Sequence, residues 1–280
     1  MKAKRLILAV ILVCIMIFSV SIAAASAVER KVGHLAKLNM SPEEFKKFHD
    51  SNAVQGKIAV FTHGNSYDMI HLFYDSLASM KMALDAGEVD EISLPEAAAE
   101  YFMNINDGYT IASIVRTLPS SLSFGFRKDD DPALRNKFNE ALLSMKADGT
   151  LAILREKYIA DAGLDEPEPV NFAEYQNIDT RIKIAVTGDL PPIDFVDSKG
   201  KPAGFNTAVI AEIGKRLHAN IELVDIDSAA RASALASGRV DAVLWFQFQK
   251  GADVQPDIPE GIALSESYYS WNEILNVRKK

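Results

Sequence analysis

Apolar residues along this chain follow two alternating rhythms: short runs of strand length, and longer stretches with helical spacing. Residues 31–35, 70–74 and 89–94 are predicted strands, and residues 122–127 alternate as a fourth. Ser41-Pro42-Glu43-Glu44 opens a helix, with Ser41 as N-cap, Pro42 at the first helical position and Glu44 completing a capping box. Asp75 and Ser76 cap a second helix that stops at Gly87, and a third helix runs through Tyr101. Residues 132–146 and 150–159 form two amphipathic helices broken at Asp148-Gly149.

After a break the rhythm returns. Residues 182–186, 221–224, 240–246 and 273–277 are predicted strands, and 205–217 and 228–235 are predicted helices, the latter stopped by Gly238. The break at residues 162–180 contains Pro167 and Pro169, five acids and no helical period, and reads as a linker. The two segments also share a local repeat. Ala83-Leu84-Asp85-Ala86-Gly87-Glu88-Val89-Asp90 matches Ala234-Leu235-Ala236-Ser237-Gly238-Arg239-Val240-Asp241, and each follows an Asp-Ser cap. Strands alternating with helices on both sides predict two α/β lobes with a cleft between them.

The N-terminus changes the composition figures. A basic start through Arg5, an uncharged stretch from Leu6 to Ile22 and Ala25-Ser26-Ala27 have the form of a secretory signal peptide. Removing those 27 of 280 residues leaves 253 and moves the formal net charge from −8 to −11. An uncleaved N-terminal anchor is the alternative; either reading places the folded part outside the cytoplasm. Cys14, the only cysteine, lies in this leader behind Ile11-Leu12-Val13, without the small residue that precedes a lipid attachment site, so no disulfide or cysteine metal site is expected. The acidic balance and the lack of a Lys/Arg stripe disfavour nucleic acid. Asp129-Asp130-Asp131 reads as a turn ending at Pro132, and the acids at 165–168 as a solvated linker.

Ile184-Ala185-Val186-Thr187-Gly188-Asp189-Leu190-Pro191-Pro192-Ile193-Asp194-Phe195, followed by Gly200-Lys201-Pro202-Ala203-Gly204-Phe205-Asn206, resembles the opening of family 3 extracellular solute-binding proteins, the amino-acid-type receptors of ABC importers. Residues 234–243 and Ser265-Glu266-Ser267-Tyr268-Tyr269 continue the likeness to the first half of lobe 1. Residues 74–101 resemble lobe 2, Gly125-Phe126-Arg127-Lys128-Asp129 the strand returning to lobe 1, and Asn139-Glu140-Ala141-Leu142 with Lys146-Ala147-Asp148-Gly149-Thr150-Leu151 its closing helices. The resemblance implies a two-lobed periplasmic-binding-protein-like fold of type II, with a central mixed sheet in each lobe and an interlobe cleft. It also implies a small polar solute, an amino acid or a related compound, and delivery to a membrane permease or a sensor domain.

The order of these pieces departs from the family. Residues 28–161 match lobe 2 plus the closing helices, residues 162–180 form the join, and residues 181–280 match the first half of lobe 1. A monomeric circular permutant is expected, since domain termini often lie close together. The alternative is two half-receptors completed by another chain, as in a swapped dimer.

In a two-lobed receptor the solute sits at the carboxyl ends of the strands. The candidates in lobe 1 are therefore Asp189, Leu190, Ser228, Arg231, Trp245 and Gln247, and those in lobe 2 are Asn39, Ser41 and Glu96. The resemblance implies an arginine clamp after the third strand of lobe 1, yet residues 245–251 contain none; Arg231 is the expected substitute. The aromatic residue usual in the first-strand loop is Leu190, and the usual lobe 2 acid aligns with Pro95, beside Glu96. His34, His49, His63, His71 and His218 are spread over different elements with no zinc spacing, and no nucleophile elbow occurs. A binding protein without cofactor is the leading expectation. A lyase or dehydratase on the same fold and a degenerate scaffold are the alternatives.

Overall fold

Capping residues fix the starts of the first two helices. The structure, a computed structural model, describes residues 29–62, 68–162, 169–176 and 181–280. The leader with Cys14, His63, and residues 163–168 and 177–180 of the expected linker lie outside them. Helix α1 (Pro42–Val54) starts at the capping box of Ser41 and Glu44. Helix α2 (Leu77–Ala86) starts at Ser76 and ends at Gly87, which adopts φ 76. Helix α3 (Glu96–Ile105) follows Pro95. Helices α4 (Ala133–Ala147) and α5 (Thr150–Arg155) are separated at Gly149, and α5 continues into a π-turn, Glu156–Ala160. In the second segment lie α6 (Gly204–Leu217) and α7 (Arg231–Ala236), the latter entered through a short 3₁₀ turn at Ser228–Ala230.

The strands build two sheets of the same plan. In lobe 2, β1 (Arg30–Leu35) pairs in parallel with β3 (Met69–Tyr74) and β4 (Glu91–Pro95). Lobe 1 repeats this with β6 (Arg181–Val186) between β9 (Asn220–Asp225) and β10 (Ala242–Gln249), again all parallel. Each sheet is completed by two long strands that run through both lobes. These are β5 (Tyr109–Arg127) and β12 (Tyr269–Lys279). The strand order is β3-β1-β4-β12-β5 in lobe 2 and β9-β6-β10-β5-β11 in lobe 1, with β11 (Ile262–Leu264) at the edge. In each lobe the fourth strand is antiparallel to its neighbours and comes from the other lobe. Strand β2 (Ala59–Thr62) pairs with β5, and β7 (Phe195–Val196) with β8 (Pro202–Ala203).

The sheets are therefore mixed, and the reading of residues 122–127 and 273–277 as short strands captured only parts of β5 and β12. The crossing point is marked by a break in their register: Trp271 faces Ser120, but Glu273 faces Arg116. Pro119 lies in this gap and has no N–H to offer a ladder, which fits the break in register at that position.

Packing assigns the closing helices to lobe 1. Arg216 of α6 donates to Ser144 Oγ (2.6 Å) and Thr150 Oγ1 (3.0 Å) and pairs with Asp148 (2.8 Å). The described part of the linker is pinned there as well: Tyr175 N donates to Asn220 Oδ1 (2.8 Å), and the Tyr175 and His218 rings lie 3.9 Å apart.

In lobe 2, Met80 and Leu84 of α2 and Phe102 of α3 bury one face of the sheet, while α1 covers part of the other. Under α7, Leu235, Val243 and Phe246 form a second core cluster. Gly125 on β5 is indispensable to it, because a Cβ there would lie 2.2 Å from the buried Phe246 ring. Gly125→Ala is expected to cost about 1–3 kcal/mol through overpacking, read as a lowered urea midpoint; an unchanged midpoint would refute this packing. Gly204 has a similar constraint, with φ 78 and Pro192 O 2.5 Å from where a Cβ would sit.

Candidate functional site

The carboxyl ends of β1, β4 and β10 open on a cleft lined by both lobes, with a cavity volume of about 90 Å³ once open solvent is left out. It continues beneath α1 along the lobe 2 sheet. Three of the nine expected site residues line it: Leu190, Trp245 and Gln247.

Trp245 is fixed from three directions. It sits at the bulge of β10 with φ 35, a left-handed conformation unusual for a non-glycine residue. Its indole Nε1 donates to Asp194 Oδ2 (3.0 Å) and Thr187 Oγ1 (3.2 Å), and its carbonyl accepts from Arg231 Nη1 (2.7 Å). The Arg231 guanidinium stacks over the indole at 4.0 Å. Burial pushes the Asp194 carboxyl up, while the bonds from Thr187 and Trp245 favour its charged form.

Arg231 does not replace the missing clamp. Its side chain is fully buried and bidentate with Asp257, at 2.8 and 3.0 Å, and its Nε donates to the Ser228 carbonyl (2.9 Å). It stands behind the cavity wall as the support of Trp245 and Asp257. Asp257 does line the cavity, but both of its oxygens accept from Arg231 and Oδ2 also accepts from Gln247 N (3.0 Å).

Five other expected residues also lie outside the lining. Asp189 bridges the lobes instead: Oδ2 accepts from Ser228 Oγ (2.7 Å) and Oδ1 from Leu77 N (3.0 Å) at the start of α2. A carboxylate suits that helix end, although burial pushes its pKa up. Ser228 is consumed by this contact. Asn39 joins the lobes at the rim, donating through its backbone to Pro256 O (2.9 Å) and its side chain to Gln255 O (3.0 Å). Ser41 is spent on the α1 cap. Glu96 is exposed at the start of α3, its carboxyl pushed up by desolvation and by Glu100 and Glu273.

The lobe 2 wall holds what residue-by-residue reading missed. Lys37, just beyond β1, donates to Gln247 Oε1 (3.1 Å) across the cavity. Burial pulls its pKa down, Asp257 pulls it up, and Arg231 adds to the lowering. Phe45 and Phe48 of α1 supply aromatic lining. The histidines expected to be scattered converge here: His34 Nε2 and His71 Nδ1 are 2.8 Å apart, and His49 lies 5.0 Å from His71 between ring centroids. Desolvation holds His34 and His49 below the usual histidine range and brings His71 to about 4, so the cluster is neutral at pH 7. Strand alternation places residue 34 with 32, and 71 with 69, on one face; only the β1–β3 pairing puts them side by side. Among the described residues no group of three His, Cys, Asp or Glu side chains is arranged to hold a metal ion, and no helix is long and apolar enough to cross a membrane.

The family described as bacterial extracellular solute-binding proteins, family 3, matches residues 15–161 and 182–280. No curated protein matches. Similar solved structures include the ligand-binding component of an ABC-type import system from Staphylococcus aureus with zinc bound. It is 10% identical with a TM-score of 0.42, over 90% of this chain and 66% of that one. A putative methionine-binding lipoprotein from Bacillus subtilis is 12% identical with a TM-score of 0.40, over 90% of this chain and 83% of that one. The VFT2 domain of Bordetella pertussis BvgS is 12% identical with a TM-score of 0.39, over 90% of this chain and 80% of that one.

Proposed function

Because the chain belongs to the bacterial extracellular solute-binding proteins, family 3, we propose that it captures a small organic solute between its lobes, outside the cytoplasm. It then presents that solute to the membrane permease of an ABC importer or to a sensor domain. The observation that carries this reading is the cavity built from both lobes, with Lys37 of one reaching Gln247 of the other. A solute placed there touches both sheets and stabilises their closure about the β5–β12 hinge.

The same reading makes the chain a monomeric circular permutant. Lobe 1 is assembled from the two sides of the linker, and each lobe borrows its antiparallel strand from the other. An amino acid held in the manner of the family would need a free guanidinium fork, and Arg231 is engaged with Asp257.

The test is a thermal-shift screen of the purified mature chain against amino acids, organic acids, sugars and polyamines. A solute at 100 times its Kd adds about 2.7 kcal/mol of stability. The shift is expected to vanish in Ser93→Phe, which fills the cavity wall, provided that variant unfolds cooperatively without solute. No shift from any solute, or one that survives Ser93→Phe, overturns the reading.

A further inference from the structure

The cavity wall carries polar atoms that the chain itself leaves unanswered. Among the described residues Lys37 has no carboxylate within ion-pair distance: its hydrogen bond goes to the neutral Gln247 amide, and neighbouring Asp257 is spent on Arg231. Further along the wall, two on the lobe 2 sheet and one on β12 beside the crossing, three buried side-chain atoms have no hydrogen-bond partner among the described residues. They are His71 Nε2, Asn276 Oδ1 and Trp271 Nε1, in residues 4%, 2% and 8% exposed. Buried polar groups in folded proteins are paired almost without exception, and leaving one unpaired costs free energy. Between these polar ends the lining is apolar and aromatic, with Phe45, Phe48 and Trp245.

Resting on the proposed capture of a solute, we infer that the solute is a small aromatic carboxylic acid without an amino group, bearing a hydroxyl or ring N–H. Its carboxylate meets Lys37 in a charge-assisted hydrogen bond. Its ring lies among the phenylalanines and Trp245, where edge and face contacts are available. Its ring hydroxyl accepts from His71 Nε2 or donates to it, according to the histidine tautomer, and a ring N–H in the same place donates only. Among the residues lining the cavity Asp257 is the one carboxylate and both of its oxygens are engaged, so an ammonium group finds no partner there and would stand near the Lys37 charge.

The probes are 4-hydroxybenzoate, benzoate, 4-hydroxybenzyl alcohol and L-phenylalanine, titrated calorimetrically against the mature chain. Benzoate is expected to bind and 4-hydroxybenzoate to bind about tenfold more tightly, with the alcohol and L-phenylalanine at least about tenfold weaker than benzoate. Lys37→Met removes the preference for the acid over the alcohol. His71→Phe keeps benzoate binding but loses the gain from the hydroxyl; an unfolding transition in each variant checks the fold. Binding of L-phenylalanine or the alcohol as tightly as benzoate overturns the inference. So does a failure of both acids while another solute stabilises the chain, which leaves solute capture standing. Failure of every solute overturns both.

Discussion

Replacing Asp257 with alanine lowers the folding stability by about 3–5 kcal/mol, because it strands a guanidinium that no water reaches. Arg231 is 0% exposed and Asp257 2%, and they share two hydrogen bonds at 2.8 and 3.0 Å. Bringing two charges out of water costs nearly as much as their attraction returns, so the pair adds little net stability. Removing one member exposes the full desolvation cost. The double variant Arg231→Met/Asp257→Leu is therefore expected to recover most of the loss. Urea unfolding of Asp257→Ala, Arg231→Met and the double variant measures this. A single-variant loss below about 1 kcal/mol would show that water reaches the site. The double variant should nonetheless impair binding, since Arg231 holds the Trp245 carbonyl and Asp257 receives Gln247 N.

The folded chain loses about 3 kcal/mol between pH 6.5 and 4 through His71 alone. In the unfolded chain this imidazole takes up a proton near its ordinary pKa of 6.5; in the fold it does so only at about 4. Between those values the unfolded state holds more protons, so stability falls as pH falls and the loss saturates below about 4. Burial is the main cause, and His49 and Lys46 add to it, while Asp50 and Asp68 oppose it. His34 and His49 shift in the same direction and steepen the response. Asp189, Asp194 and Glu91 have carboxyls pushed up by burial and gain stability on acidification. The comparison that isolates the histidine is therefore wild type against His71→Gln, with urea midpoints at pH 7 and 4.5. Equal pH dependence in both proteins would refute the assignment.

These two sites differ in how they could be read from the chain. Ser41, Pro42 and Glu44 declare the start of α1 within four residues, and Ser76 and Gly87 bracket α2, because caps act on backbone groups one turn away. The alternation of strand and helix, the repeat at residues 83–90 and 234–241, and the Ile184–Asn206 motif were likewise local. Together they were enough to anticipate two α/β lobes and the family. Of the expected site residues, Leu190 beyond β6 and Trp245 and Gln247 within β10 are the ones that line the cavity.

Arg231 shows where such reading stops. Its neighbours on an alanine-rich helix say nothing of Asp257, 26 residues later, which consumes its charge. Asp189 looked like a ligand contact and instead caps α2, 112 residues earlier. His34 and His71 lie 37 residues apart, and only the parallel pairing of β1 with β3 makes them neighbours.

The sequence by itself determined the caps, the element order, the two lobes and the loop positions from which a cavity is built, because these depend on contacts within a turn or a strand. The tertiary structure decided which charges are spent and which stay available. That outcome depends on strand register and on the crossing of β5 and β12, both set by pairing between distant segments. Lys37 thus remains available, facing the cavity, while Arg231 is locked behind its wall.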